Sequence, residues 1–303
     1  MTTKEKLDVY EIITKTFIDA LEEGVVPWQK PWVGGAAGAP KSYISKKDYR
    51  GCNVWILAAT AAVKAYKSMY WLTYKQCSDK KGQVRKGENG TIISFWSPTY
   101  KKDESGEKVK SGFMLRYYRV FNTDQCDGLK SIEDTKAEDE NILDFNPIEQ
   151  CELILEKYTD KPSIRHGGGR ACYWPGDDNI NLPEKENFKS VEEYYSTLFH
   201  ELVHSTGHEK RLDRDLKNWF GSDPYAQEEL VAEMGATYLN AMAGVVTSTI
   251  DNSKAYIQSW IAKLKNDKRF IITAASRAQK ACDYMLGKKW GDANDQTKSD
   301  TGE

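Results

Sequence analysis

No apolar run in this chain approaches the roughly 20 residues that a membrane helix needs, so no membrane partner is expected. The opening MTTKEKLDVYEIITKTF carries Asp and Glu and lacks a continuous apolar core, which argues against a signal peptide. Cysteine is sparse: six residues, at positions 52, 77, 126, 151, 172 and 282, with no CxxC pair. That spacing excludes a zinc ribbon and a disulfide frame, and points to free thiols in a reducing cytoplasm. There is no internal repeat. Histidine is scarcer still, with four residues in 303, yet three of them fall between 200 and 208.

What is present is a 303-residue chain with 40% apolar residues, enough for two domains with buried cores. The net charge of −2 conceals an asymmetry, because residues 1–130 hold 22 basic and 14 acidic side chains. The remaining residues hold 21 basic and 31 acidic side chains, so the halves carry +8 and −10. A positive half suits a polyanion ligand, although ordinary surface variation also reaches such values.

His200-Glu201-Leu202-Val203-His204 is an HExxH pentapeptide. Tyr194, Tyr195, Leu198, Phe199, Leu202 and Val203 form an apolar stripe around it, uninterrupted by Pro or Gly until Gly207. On a helix, residues four apart share a face, so two imidazoles at this spacing can hold one ion. Glu201 stands beside the first His, where its carboxylate can take a proton from water on the metal. This is the working core of a zinc metallopeptidase. The alternative is a half-buried helix that carries two His by accident. Zinc is the default ion for such donors, with manganese or cobalt also compatible.

A catalytic metal needs a third protein ligand. The pattern HExxHxxGxxH would require His at 210, where Lys210 stands. His208 continues the four-residue spacing, but such a row covers about 12 Å of helix axis, too long for one ion without a break. Ser205-Thr206-Gly207 could supply that break, so His208 stays open. The remaining source is the segment from Tyr225 to Ala236. Its small residues, Ala232, Gly235 and Ala236, allow a close approach to a neighbouring helix. Glu229 lies on that face and is the first choice, with Glu233 second and Glu228 third. The arrangement resembles the glutamate helix of gluzincin peptidases. A row of solvated acids is the plain alternative.

Helical spacing is expected at residues 7–23, from Tyr49-Arg50-Gly51-Cys52-Asn53 through Val63, and at 148–158, 191–207, 225–243, 253–265 and 269–286. Strands are expected at Tyr70–Tyr74, Thr91–Trp96 and Phe113–Phe121, with Lys101–Lys110 a charged hairpin tip. Residues 131–147, with six acids and one Lys, read as a linker.

The first half also has the means to bind single strands, which needs aromatic rings for bases and cations for phosphates. For any one aromatic, a place in the core is the better expectation, and Trp71, Trp96 and Phe121 are assigned there. Trp28 and Trp32, in a loop bounded by Pro27 and Pro31, are expected to be exposed. Lys30, Arg50, Lys75, Arg85 and Lys86 are the candidate phosphate partners.

Taken together, these motifs resemble the ArdC antirestriction family. The N-terminal half is similar to its single-stranded-DNA-binding domain in PWQKPW, YRGCN, WLTYKQ, VRKGENGT and RYYRVFN. The C-terminal half is similar to its zincin-like metallopeptidase domain in GGGRACYWPGDDNINLP, YYSTLFHELVHSTGHEKRLDR, FGSDPYAQEELVAEMGA and YIQSWIAKLK. The resemblance implies a factor of a plasmid or transposon that binds single-stranded DNA and helps incoming DNA survive restriction. It carries His200 and His204 over as ligands, Glu201 as the catalytic acidic residue and Glu229 as the acidic ligand. It does not settle the protein substrate.

The expected fold is α+β. A mixed α/β DNA-binding domain at 1–130 precedes an acidic linker at 131–147. A zincin-like metallopeptidase domain follows at 148–290, with a small sheet and the HExxH helix, and then a disordered tail at 291–303. The leading functional reading joins a metal-dependent peptidase to a single-stranded-DNA-binding module. The runner-up is a non-catalytic DNA-coating protein whose metal site is structural or vestigial. DNA mimicry by the acidic half fits less well, because its acids are interspersed with Lys.

Overall fold

Asp8 opens the first helix, its carboxylate accepting the Tyr10 N–H at 2.9 Å and capping α1 (Val9–Glu22). Ile13, Phe17 and Leu21 recur at helical spacing and are buried, while Gly24, at φ 77°, ends the turn. The computed structural model describes residues 8–28, 39–103, 105–130, 147–216, 223–245 and 254–288. Residues 131–146 of the expected linker at 131–147 and the expected tail at 291–303 lie outside the described residues, as do Lys30 and Trp32, while Pro147 already opens a helix.

The first half builds a four-stranded sheet beside α2 (Cys52–Val63). Its strands are β1 (Lys41–Ser42), β2 (Tyr70–Thr73), β4 (Thr91–Lys102) and β5 (Lys108–Asn122), in the order β1-β2-β5-β4. β1 and β2 run parallel, and the other pairs are antiparallel. α2 is apolar nearly all round, as suits a helix buried along most of its length. Its Val54 and Trp55 share a buried cluster with Ile93 and Val120 of the sheet. Asn53 lies at the start of α2. Its amide donates to the Ser94 carbonyl at 2.7 Å and accepts the Ser94 N–H at 3.0 Å. It thereby satisfies a backbone pair on β4, an edge strand that would otherwise offer those groups to another chain.

β4 and β5 run on as a long hairpin, in register from Thr91↔Val120 to Lys102↔Lys108 with one bulge at Thr99/Tyr100. Both strands exceed the expected lengths, because pairing continues into the charged residues read as a tip. The expected strand Tyr70–Tyr74 stops one residue early. Thr73 accepts the Gln76 N–H at 3.2 Å and donates its own N–H to Gln76 Oε1 at 2.8 Å. This capping box starts α3 (Tyr74–Asp79) where the aromatic residues had suggested continued strand. β3 (Gln83–Val84) and β6 (Cys126–Asp127) pair as a separate ribbon.

Among its described residues, the second half comprises α4 (Pro147–Lys157), a three-stranded sheet and four further α-helices. The sheet holds β7 (Ser163–His166), β8 (Cys172–Trp174) and β9 (Asn179–Leu182) in the order β7-β9-β8, leaving β8 at an edge. The helices are α5 (Val191–Ser205), α6 (Asp223–Ala243), α7 (Lys254–Asn266) and α8 (Phe270–Met285). No helix among the described residues is long and apolar enough to cross a membrane.

A single buried cluster draws residues from both halves, from Phe17, Trp28 and Trp55 to Trp260, Ala274 and Cys282. α1 packs on α7 and α8, and α2 packs on α8. Arg50 pairs with Asp283 at 2.5 Å, and Thr237 donates its hydroxyl to the Trp28 carbonyl at 2.6 Å. The fold is thus α+β, with the HExxH segment on α5 against the small sheet.

Candidate metal centre

α5 starts where Ser190 caps it, accepting the Glu193 N–H at 3.2 Å, with Glu192 and Glu193 in the positively polarised first turn. Its apolar stripe is buried, which fixes the helix rotation and directs His200 and His204 toward α6. The two helices approach closely because Gly235 faces Val203. A Cβ built at Gly235 would stand 2.7 Å from Val203 Cγ2. Val203 is β-branched and stiff, so it cannot turn aside.

The close approach brings three donors together. His200 Nε2 lies 3.1 Å from His204 Nε2 and 3.6 Å from Glu229 Oε2, and His204 Nε2 lies 3.5 Å from Glu229 Oε1. Among the described residues, these three side chains form the group whose ligand atoms all fall within 4.8 Å of one another. Tetrahedral zinc, with bonds near 2.0–2.1 Å, separates its ligand atoms by about 3.3 Å. The set of two imidazoles and one carboxylate therefore fits a divalent cation in both spacing and chemistry.

The charges in the group are coupled. Burial raises the Glu229 carboxyl, but the His200 hydrogen bond and the His204 and His200 charges outweigh it and bring it down to about 2. Burial lowers His200, while Glu229, Glu201 and Glu233 together leave it raised. Burial and the Glu229 charge push the Tyr225 phenol up to about 12.

The other ligand candidates are engaged elsewhere. His208 lies beyond the end of α5, where its Nδ1 accepts the Lys210 N–H at 3.2 Å. Glu233 accepts the Tyr256 hydroxyl at 2.7 Å. Glu228 is buried and faces the other nitrogen of His204, with Oε1 at 3.2 Å from Nδ1.

Glu201 is also buried, and its Oε2 accepts the Tyr173 backbone N–H at 2.8 Å. Tyr173 belongs to β8, so the carboxylate lies against the edge strand. The position is braced from behind. The Tyr173 hydroxyl donates to Asp178 Oδ1 at 2.9 Å, and the nearly buried Arg211 donates to both Asp178 oxygens at 2.8 Å. Arg211 also donates to the Ser205 carbonyl at the end of α5. This brace was not expected from the sequence; its one signal is Arg211, shortly after the HExxH helix.

The proposed DNA contacts fare differently. Trp28 is fully buried, wedged between Phe17 at 6.4 Å and Trp260 at 5.5 Å between ring centroids. The flanking Pro27 suggested an exposed loop, but the indole fills a gap between α1 and α7 and has no free face for a base. Arg50 is committed to Asp283. Arg85 pairs with Glu88 at 3.2 Å and Asp127 at 3.4 Å and also donates to the Asp124 carbonyl, so it ties its own turn together. Lys75 and Lys86 are exposed. Of the assigned core aromatics, Trp71 is fully buried and Phe121 partly so. The side chain of Trp96 lies outside the described residues.

Comparison with known proteins places this geometry in context. Residues 7–121 match the N-terminal domain of anti-restriction factor ArdC, and residues 149–277 match the zincin-like metallopeptidase family. The crystal structure of the antirestriction protein ArdC from plasmid R388, bound to Mn(II), superposes with a TM-score of 0.74 at 36% identity. That match covers 93% of this chain and 98% of the other. The chain belongs to the ArdC antirestriction family. The metal-free R388 structure matches equally well, with a TM-score of 0.74 at 38% identity, over 94% of this chain and all of the other. The uncharacterised protein y4eC of Sinorhizobium fredii is 35% identical over 293 residues, covering 94% of this chain and 93% of that protein. The DNA primase TraC of Escherichia coli is 36% identical over 300 residues. This chain spans only 20% of that primase's length.

Proposed function

We propose that the chain is an antirestriction protein that holds a divalent metal ion between His200, His204 and Glu229 and uses it to cleave peptide bonds. The observation that carries this reading is the convergence of the three donors at the helix that also holds Glu201, a buried carboxylate set against an edge strand. When bound, a divalent ion supplies a Lewis acid that polarises a peptide carbonyl and acidifies water. The chain does the rest. The outer edge of β8 can pair with an extended substrate backbone. The Glu201 carboxylate, held at that edge by Tyr173, accepts the proton of the attacking water and can pass it to the departing amine. The R388 structure with Mn(II) supports a divalent ion, and zinc suits the same donors.

The first half supplies single-stranded-DNA binding in this reading. With Trp28 in the core, the support comes from the β4–β5 hairpin. Tyr100, Met114 and Tyr117 are exposed there among the exposed cations Lys101, Lys102, Lys108, Arg116 and Arg119. Alternation along β5 puts Tyr117 and Arg119 on one face and Met114 and Arg116 on the other. Such an arm offers stacking surface and phosphate partners together. Residues 1–130 are then the DNA-binding unit and 148–290 the peptidase unit, acting in the cytoplasm.

Protection of incoming DNA in a conjugation assay separates this from simple coating of the strand. Glu201→Gln should lose protection at unchanged expression and unchanged affinity for single strands. Full protection by that variant would establish coating without catalysis.

A further inference from the structure

The buried pair Glu228–Arg214 has no part in the chemistry described so far, yet it touches the site at one defined atom. Consecutive residues of α6 address the two nitrogens of one imidazole. Glu229 Oε1 lies 3.5 Å from His204 Nε2, and Glu228 Oε1 lies 3.2 Å from His204 Nδ1. Glu228 is itself gripped from the far side. Arg214 donates Nε to Oε2 at 2.9 Å and Nη2 to Oε1 at 2.7 Å, a two-pronged pair with both side chains under 10% exposed. Arg214 is then fixed to the end of α5, through the Thr206 hydroxyl at 2.7 Å and the Val203 carbonyl at 2.8 Å.

A carboxylate has no proton to give in this setting, so the short contact requires that His204 Nδ1 be the donor. That choice leaves the Nε2 lone pair facing His200 and Glu229. We propose that Glu228 and Arg214 are positioning residues that lock His204 in the Nδ1–H tautomer, presenting Nε2 to a divalent ion. The inference rests on the metal-centre reading of His200, His204 and Glu229. Arg214 has a distinct role in it. It holds Glu228 as an oriented anion and prevents that carboxylate from swinging round to join Glu229 as a further ligand.

An ion pair that merely staples α5 to α6 would also be buried and bidentate. It would leave His204 free to adopt either tautomer, and its loss would lower stability without a specific effect on the ion. Two measurements on the full chain separate the cases. The first is nitrogen-15 NMR of imidazole-labelled wild type without metal. The proposal requires His204 to carry its proton on Nδ1, with Nε2 unprotonated; a predominant Nε2–H form overturns it and needs no variant to fold. The second is calorimetric titration of Mn(II) into wild type and Glu228→Gln. Outer partners of metal-bound His typically contribute 10–100-fold in affinity, and a loss of that size is expected. If wild type binds Mn(II) and Glu228→Gln binds it within twofold as tightly, the positioning role is wrong while the metal centre stands. If wild type itself takes up no Mn(II) or Zn(II), the metal reading fails and this inference fails with it.

Discussion

Replacing Trp28 by Ala tests where the first half meets the second. The indole is fully buried and touches Phe17 of α1 and Trp260 of α7, while its carbonyl takes the Thr237 hydroxyl. Truncating a large buried aromatic costs about 3–5 kcal/mol, because transfer energy and a residual cavity add. The edge-to-face contact with Trp260 is lost as well, so the site is placed no lower than the middle of that range. With a urea slope of about 3 kcal/mol/M, a loss of ~4 kcal/mol lowers the midpoint by roughly 1.3 M. The assay is urea unfolding followed by fluorescence and by circular dichroism, alongside titration with single-stranded DNA in the absence of denaturant. The midpoint should fall by that amount, and affinity of the folded protein should stay within about twofold. The opposite pattern would refute the assignment. An unchanged midpoint with affinity reduced by ~1–3 kcal/mol, the value of one lost base stack, would mean that the ring binds DNA.

Glu229→Ala should abolish retention of a divalent ion while His208→Ala retains it, read by elemental analysis after dialysis. Gly235→Ala should destabilise the chain by about 1–3 kcal/mol and weaken metal binding, because the added methyl meets Val203 and pushes α6 away from α5. Arg116→Ala with Arg119→Ala should flatten the salt dependence of single-strand binding by about 1.4 in logarithmic slope, at ~0.7 per phosphate. Arg85→Ala should leave that slope unchanged, since Arg85 is already neutralised by Glu88 and Asp127. Burial raises the Asp178 carboxyl, but hydrogen bonds from Arg211 and Tyr173 outweigh it and hold it below its ordinary 3.8. A depressed folded value means that the stabilisation is complete above about pH 4 and disappears as pH falls through the lower folded value. Asp178→Asn should therefore reduce stability at pH 7 more than at pH 2, measured by thermal unfolding at both.

The grouping of His200, His204 and Glu229 was legible because all three sit on helices. The spacing of His200 and His204 and the small face around Gly235 are properties of a 3.6-residue repeat, readable without knowing the tertiary fold. The same repeat ranked Glu229 above Glu228, because neighbouring carboxylates differ by about 100° of rotation and only Glu229 shares the small face. That Glu228 meets the other nitrogen of His204 depends on the packing of α5 and was not readable. The Arg211–Asp178–Tyr173 brace was hidden because its members lie on different elements and no periodicity links them. Trp28 was misplaced for the opposite reason. A proline-bounded tryptophan reads locally as an exposed loop, and its burial depends on α7, more than two hundred residues away. The hairpin was seen in outline but shortened, since charged strand residues resemble a turn until the partner strand is known to run beside them.

The proposed role of Glu201 is that of the base of a working metallopeptidase, as opposed to a relic beside a structural ion. The direct measurement digests a peptide library with the full chain, loaded with Zn(II) or Mn(II), and reads the products by mass spectrometry beside Glu201→Gln. Metal content is determined on the same samples. Stoichiometric ion is expected in both proteins, with defined cleavage sites for wild type and cleavage slower by several orders of magnitude in the variant. Equal cleavage by both proteins, or loaded wild type that cuts nothing while still protecting incoming DNA, would contradict that role.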